Sequence, residues 1–521
     1  MALSFILGFA AAAIVLQVIR MTINSWQHSR NATKLGCGGV PAYPCKDPFG
    51  IDTLKQGLAA DKVKLIPELA ERRNRVISEQ ENRYVTTFSL LNLGRTHIST
   101  IDPKNIQAIL ATQFKDFELG AARRSALHPL LGTGVFTADG EEWSRSRGLL
   151  RPQFTREQIS QLDLEEKHVQ KAMQALPVAA NKWTATTDIQ SIFFRLTIDS
   201  ATEFLFGESA ESQLGALQGL TRPEDSFANY FDKSQWVCAQ RGRFESLRFL
   251  AENKETKFSD KQVQAYVDKV VSNALAASQN EKTASSDEKS NYVFLQALLE
   301  VTRDPVELRS QLLNILLAGR DTTASLLSWT FLMLARHPAV FAKLRESIIS
   351  SFGTYSNPKN ISFANLKSCQ YLQYVMNEAL RLYPVVPFNR RTAVQNTTIP
   401  RGGGPDGQDP VYVRKGQSVT YSTHVMHRRK DLWGPDADDF KPDRWTNRKP
   451  GWEYVPFNGG PRICIGQQFA LTEAGYVIVR LLQRFDQIED VYPDRKIRWA
   501  VTLTSAPADL VTVRLHQAED A

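Results

Sequence analysis

Cysteine is scarce in this chain: five stand among 521 residues, at Cys37, Cys45, Cys238, Cys369 and Cys464. So thin a scatter excludes a disulfide framework and fits a reducing compartment. Lys and Arg number 63 against 55 Asp and Glu, a net +8, yet no run of basic residues with interleaved aromatics occurs. Nucleic acid is therefore not an expected partner, whereas an anionic membrane surface or an acidic protein is compatible with the excess. A Gly-rich dinucleotide fingerprint is missing, as is any flavin segment, so the chain supplies no electrons of its own from a nicotinamide. Internal repeats are also missing. What is present is ordinary globular usage, 42% hydrophobic and 23% charged, sufficient for a large core. Length alone, at roughly 150 residues per domain, would allow three or four domains.

The chain opens on an apolar run, Ala2 to Ile19, carrying Gln17 and closed by Arg20. Its length approaches what a hydrocarbon core requires. Basic residues (Arg20, Arg30, Lys34) follow the run rather than precede it, which argues against a cleaved signal peptide. By the positive-inside rule the N-terminus is luminal and the rest cytosolic. The expectation is a single-pass signal anchor over 1–20, a stiff Pro/Gly hinge over 21–50 (Pro41, Pro44, Pro48) and one large domain over 51–521. The sequons at Asn31, Asn360 and Asn396 stay silent in that orientation.

Helical patterns dominate from Ile51 to about His337, with an alternating stretch near Val85 to Leu93 that reads as a strand. The polar segment Ala277 to Asn291 reads as a solvated loop. After Pro384, RTAVQNTTIP, PVYVRKGQSVTYS and DLVTVRLH read as short strands. The fold class is mainly α with a small β-rich part.

Leu312 to Ala335 is apolar enough to span a membrane, but Arg320 and Asp321 at its centre would be costly in lipid. It reads as a helix buried through a large domain. Gly319-Arg320-Asp321-Thr322-Thr323 then has two readings: a kink in which Thr back-bonds one turn earlier, or an active-site wall in which an acid beside a hydroxyl relays protons. Glu378 and Arg381, three apart on a helix stopped by Pro384, can pair, and Arg444 could complete a network with them. The stretch Phe457 to Gly466 (FNGGPRICIG) places glycines on both sides of Cys464 and a helix directly after it. Backbone N–H groups and the helix N-terminus would stabilise a thiolate there. A buried structural thiol and a nucleophile are the competing readings. No base is placed in the motif and no partner stands at zinc spacing, so a single soft ligand to haem iron suits the loop.

F-x-x-G-x-R-x-C-x-G here, E-x-x-R at Glu378 and Arg381, A-G-x-D-T-T from Ala318 to Thr323, and W-x-x-x-R at Trp143 and Arg147 occur in the order found in the cytochrome P450 superfamily, which the chain resembles. FNRRTAVQNTTIPRGGGPDG, VMHRRKDLWGPDADDFKPDRW, TADGEEWSRSRGLLRPQF and GCGGVPAYPCKDPFG are similar to the fungal branch that hydroxylates alkanes and fatty acids. Gly402 to Gly404 is then a turn between strands and no phosphate cradle.

The resemblance implies the P450 fold and haem b with Cys464 as its axial thiolate. Phe457 would pack near the sulfur and haem, limiting solvent access and tuning potential, Gly466 would join the cofactor-binding residues, and Trp143, Arg147, Arg391 and Arg462 would meet the propionates. Asp321 and Thr322 would deliver protons, and Glu378, Arg381 and Arg444 would form a structural network. Electrons would come from NADPH through a separate cytochrome reductase, with cytochrome b5 as a further partner, at the endoplasmic reticulum membrane with the catalytic domain cytosolic. The implied reaction is oxygen insertion into a C–H bond of a lipophilic substrate, foremost terminal hydroxylation of a fatty acid or alkane. Tailoring of a fungal secondary metabolite is the alternative, and a non-catalytic haem sensor a remoter one. Segments 117–136, 314–318, 385–390 and 502–507 would line the pocket. Arg390, Ser505 and Pro507 depart from the more apolar or aromatic residues of the branch.

Overall fold

The computed structural model describes residues 2–154, 162–219, 227–280 and 293–519. They fall into two compact units. The first comprises Met1–Gly57, Leu69–Glu118 and Arg390–Ser422; the second comprises Leu58–Glu68, Leu119–Asn389 and Thr423–Ala521.

The first unit begins with helix α1 (Ala2–Lys34). Among the described residues no helix is long and apolar enough to cross a membrane. The anchor expected over 1–20 thus rests on the sequence pattern alone. A five-stranded sheet follows, in the order Thr87–Asn92, Arg95–Thr100, Ser418–Ser422, Phe388–Ala393, Phe117–Glu118. Its first two strands form a hairpin closed at Asn92 and Arg95. The turn residues Leu93 and Gly94 both take positive φ, +47° and +72°, the backbone a tight two-residue hairpin demands. The alternating stretch near Val85 to Leu93 is the first of these strands. The second, RTHIST, carries little apolar alternation and is recognised only in the structure. Ile98, Phe117, Val411, Val413 and Val419 form this unit's core. Thr397–Gly403 pairs with Asp409–Val413, so Gly402 and Gly403 end a strand and the turn expected at the glycines falls on 404–408.

The second unit is helical: α2 (Gly140–Leu150), α3 (Asp163–Gln174), α4 (Ile189–Phe206), α5 (Phe227–Phe244), α6 (Lys254–Asn280), α7 (Pro305–Arg336), α8 (Pro338–Phe352), α9 (Gln370–Leu382) and α10 (Gln467–Arg484). Helix α6 runs on to Asn280, past the expected start of the polar loop; 281–292 lie outside the described residues. Two small sheets complete the unit: Thr512–Gln517 between Thr187–Asp188 and Phe485–Asp490, and Trp499–Val501 against Ser505–Pro507.

Helix α7 is the axis of this unit. Asp304 caps it by accepting the Val306 N–H at 2.9 Å, and Pro305 stands at its first position, where a missing N–H costs nothing. Between Ser310 and Leu334 every residue is buried except Ala318, Gly319 and Thr322. Leu312, Leu313 and Leu316 share a cluster with Phe204, Leu205 and Phe294. At about 1.5–3 kcal/mol per fully buried large side chain, such contacts hold the two charged residues at mid-helix inside the domain.

Candidate functional site

The loop before α10 is built by backbone constraints. Asn458 and Gly460 take positive φ, +60° and +66°. A Cβ on Gly459 would come within 2.6 Å of the Trp452 ring, so only glycine fits there. The Cys464 N–H donates to the Phe457 carbonyl at 3.0 Å, and the Ile463 N–H to the Gly460 carbonyl at 3.0 Å. The loop presents Cys464 as an exposed residue, with the Gly466 N–H directed at its sulfur. Desolvation by the surrounding loop raises the thiol from its ordinary value, while that N–H and the nearby Arg147 charge lower it.

Helix α2 braces this loop. Arg147 Nη2 donates to the Ile463 carbonyl at 3.0 Å. Arg462 donates to the Ala138 carbonyl from both Nη atoms at 3.2 Å and pairs with Asp139 Oδ1 at 2.7 Å. The indole of Trp143 lies beneath both guanidiniums, 4.4 Å from Arg462 and 5.9 Å from Arg147. Asp139 also accepts the N–H groups of Leu119 at 2.9 Å and Gly120 at 3.1 Å. Sequence reasoning missed Asp139; the signal was an Asp directly before Gly140 at a helix start, a capping position whose carboxylate here serves Arg462 instead. Trp143, Arg147, Arg462 and Cys464 are thus brought together. Arg391 belongs to the first unit, where it is buried and donates to the Arg390 carbonyl at 2.9 Å.

On α7 the half-buried residues Ala318, Gly319 and Thr322 share one face, by their spacing. A Cβ added at Gly319 would meet only the Ala201 Cβ, at 3.9 Å. Thr322 Oγ1 donates to the Ala318 carbonyl at 2.6 Å, the back-bond considered above, and its oxygen keeps acceptor capacity. Asp321 lies round the helix from this face, buried against Arg320 and Gln235. Burial pushes its carboxyl up to about 6; Arg320 lowers it and Asp232 raises it.

Glu378 and Arg381 are both fully buried and pair twice, Nε to Oε2 at 2.8 Å and Nη2 to Oε1 at 2.9 Å. Arg444 joins at 3.3 Å, as expected from the sequence, and the Trp445 indole donates to Oε2 at 3.0 Å. Arg381 further donates to the carbonyls of His427 at 2.8 Å and Ala437 at 2.6 Å. The Val455 N–H donates to His427 Nε2 at 3.1 Å, which leaves Nδ1–H to donate to the Arg381 carbonyl at 3.2 Å. The network therefore reaches the strand of chain that enters the cysteine loop.

Two pocket expectations resolve at named atoms. Asn314 accepts the Phe136 N–H at 3.1 Å and donates to the carbonyls of Leu131 at 3.1 Å and Ser310 at 2.8 Å, so it braces the loop before α2. Ser505 is buried and donates to the Pro384 carbonyl at 3.0 Å.

The donor set fits a haem. The Cys464 sulfur would hold the iron, the Arg147 and Arg462 guanidiniums and the Trp143 indole beside it would suit carboxylate side arms, and the small open face of α7 would take a flat apolar body.

The family model for cytochrome P450 matches residues 63–511. The chain is 50% identical over 510 residues to the cytochrome P450 monooxygenase g430 of a Fusarium species, covering 96% of this chain and 88% of that one. It is 46% identical to the monooxygenase alt2 of Alternaria solani (94% and 93% covered) and 48% identical to cytochrome P450 52A13 of Debaryomyces hansenii (82% and 83%). The P450DA heme domain superposes with a TM-score of 0.71 at 22% identity over 92% of this chain and 97% of that one, a likeness of fold. With the cysteine loop, its α2 brace and the buried Glu378–Arg381 pair all in place, the chain belongs to the cytochrome P450 family of monooxygenases.

Proposed function

We propose that this monooxygenase hydroxylates the end of a fatty acid or alkane chain. The observation that carries the reading is Ser505. Its hydroxyl is spent on the Pro384 carbonyl and its own carbonyl accepts the Trp329 indole at 3.1 Å, so this polar departure from the fatty-chain branch offers a substrate no free donor. Tailoring of a specialised metabolite is a second reading, supported by the likeness to the Fusarium and Alternaria enzymes.

As a member of the family the protein uses haem b, held through a thiolate, and takes electrons from a redox partner. Bound, the haem supplies activation of dioxygen. Cys464 would hold the iron, with Phe457 and Gly466 fixing the loop around it. Trp143, Arg147, Arg462 and Arg391 would receive the propionates. Thr322 would hold a proton at its Oγ1 on the open face of α7, and Asp321 would resupply it through ordered water.

The electron donor is read as an NADPH–cytochrome reductase with an acidic docking face, with cytochrome b5 as an accessory. Residues 1–20 are read as a single-pass anchor in the endoplasmic reticulum and 21–50 as the hinge. Residues 51–521 are read as one catalytic domain on the cytosolic side, a reading supported by the motif order.

The test is the reduced, carbon-monoxide-bound spectrum of membranes carrying the protein beside Cys464→Ala. A thiolate-type Soret band is expected in the parent alone, and its absence there would sink the assignment. For substrate, dodecane, dodecanoic acid and a panel of polar multicyclic compounds are compared by the spin-state shift they induce. A response confined to the multicyclic compounds would overturn the fatty-chain reading.

A further inference from the structure

The acid on α7 does not stand alone. Arg320, 3% exposed, lies between two carboxylates: Asp232 on α5 and Asp321, its own neighbour. Its commitment is unequal. Nη1 contacts Asp232 Oδ1 and Nη2 donates to Oδ2 at 3.1 Å, a two-point pair. Asp321 Oδ1 lies 3.2 Å from Nη1 yet makes no hydrogen bond there. The rings of Phe194 on α4 and Phe231 on α5 flank the guanidinium at 5.5 and 5.8 Å and hold it in this orientation. The groups acting on Asp321 are Arg320 and, from α5, Asp232 and Gln235; α4 contributes the Phe194 ring.

We propose that Asp232 is a positioning residue for the proton relay: by taking both ends of the Arg320 guanidinium it keeps Arg320 from closing a hydrogen-bonded pair with Asp321. Released, Arg320 would turn to the remaining acid, Asp321. A carboxylate gripped by a buried guanidinium loses proton affinity by roughly 1–3 pH units and no longer donates near neutrality. Asp232 is the outer member, 55% exposed, so α5 has to lie against α7 for the acid to be usable. The proposal rests on the reading of Asp321 as relay.

The experiment titrates full-length haem-loaded protein by infrared difference spectroscopy, following the protonated-carboxyl band assigned by its loss in Asp321→Asn. The parent midpoint is expected near 6. In Asp232→Asn it is expected to fall by about one pH unit or more, a tenfold lower protonated fraction above the midpoint, and in Asp232→Glu to return. An unmoved midpoint in Asp232→Asn overturns the proposal. In parallel, hydrogen peroxide released per dioxygen consumed is measured with NADPH and reductase. If Asp321→Asn leaves that ratio unchanged, the relay reading itself fails. A raised ratio in Asp321→Asn with an unmoved midpoint in Asp232→Asn overturns only the role of Asp232.

Discussion

Arg147 donates from Nη2 to the carbonyl oxygen of Ile463, the residue immediately before Cys464, at 3.0 Å. One side chain of α2 thereby fixes the backbone that aims the sulfur and places a positive charge beside it. Lysine keeps the charge but not the planar reach. Arg147→Ala is expected to speed haem loss to an acceptor globin by about 10–100-fold, with Arg147→Lys between that and the parent.

Glu378 has no exposure and serves Arg381, Arg444 and the Trp445 indole at once. Removing it strips the buried Arg381 guanidinium of its carboxylate, while Arg444 keeps Asp436 at 2.8 Å. Glu378→Ala is expected to cost about 3–5 kcal/mol in denaturant unfolding, with a sharp fall in the yield of haem-loaded protein. Unchanged stability would mean that the pair is not what closes the second unit.

His427 sits between the Arg381 carbonyl and the Val455 N–H, and burial together with the Arg381 charge drives its imidazole down to about 3. The unfolded chain, with the ordinary value of 6.5, binds the proton first as pH falls. The stability this group contributes is thus fully present above about 6.5 and is lost progressively towards about 3, a total on the order of 4 kcal/mol. Denaturant midpoints measured from pH 7 to 4.5 should fall steeply in the parent. His427→Gln should start lower and fall less.

Ser505 is a brace. Ser505→Ala removes one buried hydrogen bond and is expected to cost about 1 kcal/mol of stability while leaving the order of spin-state responses across a ligand panel unchanged. A reordered panel would show that the hydroxyl meets substrate after all.

The chemistry of the site was legible in the sequence because it depends on local spacing. A spacing of three positions puts Glu378 and Arg381 on one face, and glycines around Cys464 mark a tight loop. What was not legible depends on groups far apart in the chain. Asp139 meets Arg462 across 323 positions, and His427 meets Val455 across 28, and neither residue carries a local pattern that names its partner. The same holds for Asn314, whose amide is consumed by Phe136, Leu131 and Ser310. The hairpin strand RTHIST was missed because its outward side chains leave only Ile98 and Thr100 buried, too few to show alternation.

Between Ser310 and Leu334, Ala318, Gly319 and Thr322 alone escape burial. For anyone redesigning the enzyme, α7 is accordingly a keyboard with three playable keys. Enlarging any other position in that span forces the interior apart, whereas a methyl at Gly319 has only the Ala201 methyl to meet, at 3.9 Å. A library confined to these three positions would vary the face proposed to meet substrate without spending the stability that holds the helix.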